Sequence, residues 1–306
     1  MPVITHDHCV CGGLGKVGDH TCTTVVDWIP VTEDVFDTVN SLYGFKEDGH
    51  YYLTGDFTPS KRITIRPGQN ISLCLNGYTL SRSSTLFYVG GHANVCDCRG
   101  GGVMSGNYAG DGGNVKLVSG SSMNFYGGTI TRGSAKGVPV ALSMDKESIA
   151  PTNTEPSTFK MYGGTITGGT TAGNVKIWAS ANFIMYGGTI KNGTSTGTGG
   201  NIVCSSTGTI KLLGGTVTGG SAATGNDVYF SRGTPVVGGT FQGDIYLASG
   251  VKLTISTEKP LTTGASVGIQ MATLGVFAQN VATDVSSYFT GNVSYDPTEQ
   301  TLTLNP

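Results

Sequence analysis

The chain has 306 residues, of which only 12% are charged and 49 are glycine. Ordinary soluble domains average about 25% charged residues and about 7% glycine, so this composition favours β-structure with tight turns and does not fit a helical enzyme. The formal net charge of -2 gives no field that favours nucleic acid or an anionic membrane, and no apolar run has the roughly 18–20 residues of a membrane span.

Residues 1–13 carry neither the basic block nor the apolar block of a secretory signal. This predicts either a trimmed chain or a protein that leaves its cell by another route, as a virion part does when its host lyses.

Residues 1–24 are rich in cysteine and histidine, and two pairs of the form Cys-x-Cys and His-x-Cys predict a structural zinc site. Three thiolates and one imidazole make a tetrahedral zinc set, and the metal would supply the folding energy of this segment. The predicted ligands are Cys9, Cys11, His20 and Cys22, with His6 and His8 as alternatives. A disulfide with one remaining thiol, or an unstructured tail, is the other interpretation.

Residues 25–60 are predicted to form a linker and an N-terminal cap. Their least regular part, Thr32–Phe45, allows a short helix with Thr32 as N-cap and two acidic residues in the first turn. Strand-like alternation begins at His50–Phe57 and continues through Lys61–Leu80, where apolar residues occupy every second position.

A Gly-Gly-Thr motif recurs five times at intervals of 24 to 36 residues, which predicts the stacked short units of a solenoid. The glycine pairs begin at Gly127, Gly163, Gly187, Gly214 and Gly238. A Gly-Asn motif alternates with them, and its asparagines are Asn114, Asn174, Asn201 and Asn226. Each coil therefore carries at least three short strands. We expect an all-β fold in which residues 61–250 form a right-handed parallel β-helix, because parallel crossovers are almost always right-handed.

Alternation also predicts which side chains of each coil face the core. The predicted inward residues are Met123, Phe125, Ile130, Phe159, Met161, Ile166, Phe183, Met185, Ile190, Ile210, Leu212, Val217 and Phe241. The recurring asparagines are expected to form a ladder of side-chain hydrogen bonds from coil to coil.

Three tyrosines precede the Gly-Gly corners with outward parity: Tyr126, Tyr162 and Tyr186. They are predicted to stack as an exposed aromatic ridge that Leu213 and Val237 continue. Sugar rings and aromatic partners dock on such surfaces, which makes the tyrosines candidate ligand-binding residues. In the alternative interpretation the rings only pack on one another and shield the turn glycines.

Seven cysteines are an odd number, so they cannot all pair within one chain. Cys74 and Cys96 are spaced to stack in neighbouring coils, close enough for a disulfide, and Cys98 follows on the same side. Buried thiols that act as small apolar residues are the favoured interpretation, for Cys204 as well.

The first interval between glycine pairs is about ten residues too long, and the surplus in residues 135–157 is expected to form a loop on one face, often a binding face. It holds Asp145, Glu147 and Glu155, the weak candidates for a catalytic cluster, because glycosidic cleavage needs two carboxylates about 5–10 Å apart. A solvated charged loop is the favoured interpretation. Residues 251–306 leave the repeat and are predicted to form a β-rich cap over the last coil.

The segment Leu73–Leu80, followed by Asn94–Gly102 and the Gly-Gly-Thr-Ile units, resembles β-helical surface proteins of gut Firmicutes and of their phages. The arrangement as a whole is similar to the pectate-lyase-like β-helix superfamily. The Cys/His opening is also similar to a segment of those surface proteins, so the resemblance covers roughly residues 6–305. It implies the β-helix fold and, since phage tailspikes share that fold, a virion role, but no particular activity.

These patterns favour a non-enzymatic attachment module, either a bacterial surface adhesin or a phage tail receptor-binding protein, that engages glycan or a host surface along one face. The expected location is extracellular, at a cell surface or in a virion, and a tail protein would form a trimer or a larger assembly. The alternatives are a polysaccharide lyase or glycoside hydrolase acting through residues 135–157, and a purely structural spacer.

Overall fold

In a computed structural model of the protein, the chain is an all-β parallel solenoid of about ten coils, which confirms the predicted fold class. The structure describes residues 6–12, 15–17, 20–22, 24–106, 114–132, 142–144, 154–178 and 180–306. Within these ranges the only helices are the 3-10 turns Glu33–Val35 and Ser286–Tyr288, and neither has the length and apolar character needed to cross a membrane. The right-handed winding stays a prediction.

The first face of the solenoid is a sheet of ten parallel strands, one from each coil. In spatial order its strands are Ile29–Pro30, Gly49–Tyr52, Asn70–Cys74, His92–Cys96, Ser122–Phe125, Thr158–Met161, Asn182–Met185, Ile210–Leu212, Val236–Val237 and Thr254–Ile255. Parallel pairing therefore extends on both sides of the predicted range 61–250. The outermost strands have two residues each, which is too short for alternation to reveal them in the sequence.

In each coil the second face follows the first and the third face leads back to it. The second face contains Thr79–Arg82, Val103–Gly106, Thr129–Arg132, Thr165–Thr167, Thr189–Lys191 and Thr216–Thr218. The third face contains Ile63–Ile65, Phe87–Val89, Val115–Leu117, Leu142–Met144, Val175–Ile177, Ile202–Cys204 and Val228–Phe230. The long strand Gln242–Leu247 pairs with both faces, and Ser266–Met271 and Phe289–Thr290 pair in succession beyond it.

The core lies between the three faces, and the predicted inward residues are confirmed, since none of them is more than 3% exposed. Equivalent residues stack from coil to coil, as Phe159 does on Phe183 with ring centroids 5.7 Å apart. Val237 differs from its prediction, because it opposes Leu212 and is fully buried in the core. The fifth Gly-Gly pair is displaced by one residue relative to the strand pairing, so the residue before it, Val237, points inward.

The ladder of buried side chains is present at the corner before the third face. The Asn174 amide donates a 2.8 Å hydrogen bond to Asn201, whose own amide donates a 2.8 Å hydrogen bond to the carboxylate of Asp227. The prediction for Asn226 is wrong: it is exposed and accepts a hydrogen bond from a neighbouring backbone N–H. Asp227 takes the ladder position because Ile202 pairs with Val228, which sets Asn201 opposite Asp227.

Residues before the first complete coils form two antiparallel hairpins, Gly15–Val17 with His20–Cys22 and Phe36–Val39 with Leu42–Phe45. The helix predicted within 32–45 is reduced to the single turn Glu33–Val35. The hairpin prevails there because Asn40 and Ser41 adopt positive φ angles of 49° and 65°, as a two-residue hairpin turn requires.

The C-terminal end is covered by a three-stranded antiparallel sheet of Gly275–Ala278, Thr301–Leu304 and Val293–Asp296. Phe277 and Leu302 from this sheet are fully buried in the same apolar cluster as the coils. This packing hides apolar surface that the last coil would otherwise expose.

Candidate functional site

One column of outward positions on the first face contains both the cysteines and the tyrosines singled out in the sequence. Strand register places its members in successive coils: Tyr52, Cys74, Cys96, Tyr126, Tyr162 and Tyr186. We call this set the outer column. The column begins with the phenol of Tyr52, continues with the two thiols and ends with the three remaining phenols.

The tyrosine rings of the outer column stack as predicted. The centroids of Tyr126 and Tyr162, and of Tyr162 and Tyr186, are both 5.0 Å apart, with interplanar angles of 15° and 13°. Tyr126 is only 6% exposed, contrary to the predicted open ridge, because it packs in a cluster with Cys9 and Cys11, and this burial raises the pKa of its phenol. Leu213, predicted to continue the exposed ridge, is also buried, so the open part of the stack is Tyr162 and Tyr186, both partly exposed.

Residues 6–12, the N-terminal segment, lie against the outer side of the first face. The backbone carbonyl of His8 accepts hydrogen bonds from the Val26 N–H at 3.3 Å and from the Trp28 indole N–H at 2.9 Å. The His6 ring stacks on Tyr52, with centroids 4.2 Å apart and an interplanar angle of 6°. The segment is thus attached to the first coils through both backbone and side-chain contacts.

Four side chains from the N-terminal segment and the first face bring metal-binding atoms together. The donor atoms of His6, His8, Cys74 and Cys98 all lie within 4.8 Å of one another. The two Sγ atoms are 3.4 Å apart, the two Nε2 atoms are 2.8 Å apart, and Cys98 Sγ lies 3.8 Å from His6 Nε2. This group, which we call the His/Cys group, could hold a metal ion.

Hydrogen bonds outside the His/Cys group orient its members. His8 Nδ1 donates to the Cys9 carbonyl at 2.6 Å, and because a carbonyl can only accept, Nε2 is the ring nitrogen turned towards the group. The loop that carries Cys98 is held by the Asp97 carboxylate, which accepts from the backbone N–H groups of Gly77 and Gly102, both at 2.7 Å. The donors are thus fixed by different parts of the chain.

The electrostatics of the His/Cys group keep its thiols protonated at neutral pH. A hydrogen bond with Cys96, with burial in addition, raises the pKa of Cys74 to about 12, and a hydrogen bond with Cys74 raises that of Cys98. Burial, followed by the nearby His8 and Arg99 charges, lowers the pKa of His6 to about 4. For His8, burial lowers the pKa, but hydrogen bonds to Cys98 and the Cys9 carbonyl outweigh it and the net shift is upward.

The zinc set predicted at Cys9, Cys11, His20 and Cys22 is only partly described. Cys9 and Cys11 are buried, Cys9 is in a disulfide and Cys11 retains its thiol. Because a disulfide sulfur is not a thiolate, the state of Cys9 agrees with the alternative interpretation, a disulfide with one remaining thiol. The side chains of His20 and Cys22 lie outside the described residues, so the four-ligand set as a whole is not tested. Of the predicted alternatives, His6 and His8 do reach a metal-binding group, but with partners from distant coils.

Cys96 and Cys204 are buried thiols, as the favoured interpretation expects, whereas Cys74 is a buried thiol that also belongs to the His/Cys group. Cys74 and Cys96 oppose each other in adjacent strands, and both keep buried thiols rather than forming a disulfide. Cys204 is likewise a buried thiol in the core.

The carboxylates offer little for a catalytic cluster within the described part of the chain. Asp145 and Glu147 lie outside the described residues, and Glu155 is exposed. Asp227 and Asp244 come close enough to interact electrostatically, which no motif indicated. The Asp227 carboxylate is occupied by the Asn201 amide and the Gly220 N–H, both at 2.8 Å, which gives it a structural role.

Comparison with protein-family models, with curated proteins and with solved structures gives no match to this chain. The fold assignment therefore rests on the strand pairing described above.

Proposed function

We propose that this chain is a non-enzymatic attachment module that binds surface glycan along its first face, at Tyr162 and Tyr186. The observation that carries the proposal is the stack of these two partly exposed rings, 5.0 Å apart on a regular sheet. A tyrosine side chain combines an apolar ring with a polar hydroxyl, and such amphipathic surface suits sugars, which also have apolar and polar sides. Because the stack follows the solenoid axis, a linear saccharide would lie along the rod.

Charge beside the tyrosines favours a ligand with polar or anionic groups. The Lys259 ammonium lies 5.7 Å from the centroid of the Tyr186 ring. An ammonium at this distance interacts with the ring and adds a donor at the end of the exposed stack. The two features together suit hydroxyl-rich or acidic surface polysaccharide.

In this proposal the protein works outside the cell, as a bacterial surface adhesin or as a phage tail receptor-binding protein, and in a tail it would form a trimer. A structural zinc ion belongs to the same proposal, since a metal-fixed N-terminal segment would give the module a rigid end. A purely structural spacer is the alternative if no glycan binds.

An oligosaccharide array of bacterial and host surface glycans tests the proposal with fluorescently labelled protein. Tyr186→Ala should weaken binding by about 2- to 10-fold, because an aromatic contact contributes about 0.5–1.5 kcal/mol. The matched control is Tyr229→Ala, which breaks the similar stack of Tyr229 and Tyr246 on the third face, with centroids 5.4 Å apart.

Three outcomes would count against the proposal: no binding to any glycan, unchanged binding in Tyr186→Ala, or an equal loss in Tyr229→Ala. Release of reducing ends or unsaturated sugars from a bound glycan would instead support the lyase or hydrolase alternative.

A further inference from the structure

We infer that His6, His8, Cys74 and Cys98 bind a single zinc ion through two imidazole Nε2 atoms and two thiolates. The ion would fasten the N-terminal segment to the first face of the solenoid. This inference specifies the structural zinc of the proposed function with ligands other than the four that sequence spacing predicted. It does not depend on glycan binding.

The distances between donor atoms are close to those of a tetrahedral zinc site. With zinc–sulfur bonds of about 2.3 Å and zinc–nitrogen bonds of about 2.0–2.1 Å, a regular tetrahedron separates sulfurs by about 3.8 Å, nitrogens by about 3.3 Å and unlike donors by about 3.6 Å. The corresponding separations here are 3.4, 2.8 and 3.8 Å. The other three sulfur–nitrogen separations are at most 4.8 Å, so side-chain movements of up to about one ångström would centre an ion among all four donors.

The histidines are already oriented as metal ligands. Zinc-bound histidines usually donate their second ring N–H to a carbonyl or carboxylate, which fixes the tautomer and directs the other nitrogen at the metal. His8 does this through Nδ1 and the Cys9 carbonyl at 2.6 Å. His6 is held flat against Tyr52, which supports the plane of its ring.

The thiols come from two neighbouring coils and are presented on the same side as the histidines. Cys74 ends the strand Asn70–Cys74, and Cys98 lies in the loop that Asp97 holds through its hydrogen bonds to Gly77 and Gly102. Cys98 also donates to the Asn76 side chain at 3.5 Å. The site thus joins three stretches of chain that are far apart in sequence.

The donor set selects the kind of metal. Two thiolates with two imidazoles at a tetrahedral site are typical of structural zinc, whereas calcium and magnesium require oxygen ligands. All four positions would be filled by the protein, so no position would remain for a substrate. Binding would release one proton from each of the two thiols as the zinc–sulfur bonds form.

Zinc binding would also determine which part of the outer column the N-terminal segment covers. Cys9 and Cys11 from that segment pack in the same cluster as Cys96 and Tyr126 of the outer column. A zinc ion that holds the segment in place would therefore keep Tyr126 covered and would define where the open tyrosine surface begins.

Metal analysis of the purified full chain tests the site. Protein produced with zinc in the medium should contain about one zinc ion per chain, and Cys98→Ser and His8→Gln should each reduce this at least about five-fold. Cys11→Ser is the control that separates the two ligand sets, because Cys11 belongs only to the set predicted from sequence, and it should leave the zinc content unchanged. Exchange of zinc for cobalt(II) should give sulfur-to-metal charge-transfer absorption, which Cys98→Ser should weaken strongly.

Limited proteolysis gives a second measurement that does not require the variants to fold fully. Removal of zinc from the unaltered protein by a chelator should speed cleavage within residues 6–28 and leave the coils intact, and added zinc should reverse the effect. Less than about 0.2 zinc per chain, zinc lost in Cys11→Ser but retained in Cys98→Ser, or a Cys74–Cys98 disulfide found by mass spectrometry would each overturn the inference. None of these results bears on the glycan array, so the two proposals fail separately.

Discussion

Asn201 connects three successive coils through a fully buried amide, and replacing it with alanine should destabilise the protein by about 4 kcal/mol. Its side-chain oxygen accepts from the Asn174 amide at 2.8 Å and from the Gly193 backbone N–H at 2.9 Å. Its nitrogen donates to the Thr218 carbonyl and to the Asp227 carboxylate, both at 2.8 Å. Asn201→Ala removes all four hydrogen bonds at once.

The size of the expected destabilisation follows from the hydrogen bonds that each partner of Asn201 keeps in the variant. The Gly193 N–H is buried and loses its described hydrogen bond, which costs about 1–3 kcal/mol. The Asp227 carboxylate keeps the Gly220 N–H but loses a donor, and a hydrogen bond to a charged group contributes about 1.5–3 kcal/mol. Thr218 keeps a backbone donor and Asn174 keeps a carbonyl acceptor, so these two losses are smaller.

Urea unfolding followed by circular dichroism measures the free energy of unfolding, provided that the slope against urea is the same in variant and parent. The matched control is Asn226→Ala, since Asn226 stands in the same Gly-Asn motif but is exposed and accepts one hydrogen bond from Ala222. Its loss should cost at most about 1 kcal/mol. A cost for Asn201→Ala below about 1 kcal/mol, or equal costs for the two variants, would refute the assignment of the ladder.

Two further predictions concern the pH dependence of the ladder and the Gly-Gly corner. Burial, followed by the Asp244 charge, raises the pKa of Asp227, so the folded state binds the proton more tightly and stability falls as pH rises from about 4 through that raised pKa. The free energy of unfolding of Asp227→Asn, measured with urea, should therefore increase over this pH range relative to that of the parent. A difference that does not change with pH would contradict a raised pKa at Asp227. At Gly188, which has φ of 87°, an added Cβ would lie 2.6 Å from Met161 Cε and 2.8 Å from the Gly164 carbonyl oxygen. Gly188→Ala should thus cost at least about 2 kcal/mol more than Gly68→Ala, where φ is 84° but no atom lies within 4 Å, and equal melting temperatures would show that coil stacking is not the constraint there.

The sequence was sufficient for the architecture because alternation and the corner motifs repeat in every coil. Phe125, Phe159 and Phe183 could be placed inward from their parity alone. The motifs misled where they and the strand register disagree by one residue, at Asn226 and at Val237. In both places the strands pair so that their apolar residues align and become buried. The free energy gained by this burial exceeds what alignment of the corner motif would contribute.

The His/Cys group could not be derived from sequence because its ligands lie in different coils. Local spacing suggested Cys9 and Cys11 as partners of one another, yet His6 and His8 approach Cys74 and Cys98 only because the N-terminal segment crosses the outer side of the first face. The N-terminal segment is held in this position by contacts with Trp28 and Tyr52. These contacts are not part of any periodic pattern in the sequence.

The regular stacking also makes the length of the rod adjustable. Among the residues that the structure describes, the coil with strands Val175–Ile177, Asn182–Met185 and Thr189–Lys191 pairs only with the coil before it and the coil after it. Excision or duplication of such a unit would bring together strands that already present matching apolar columns. The spacing between the two ends of the protein would change in steps of about 4.8 Å, while the terminal structures stayed as they are.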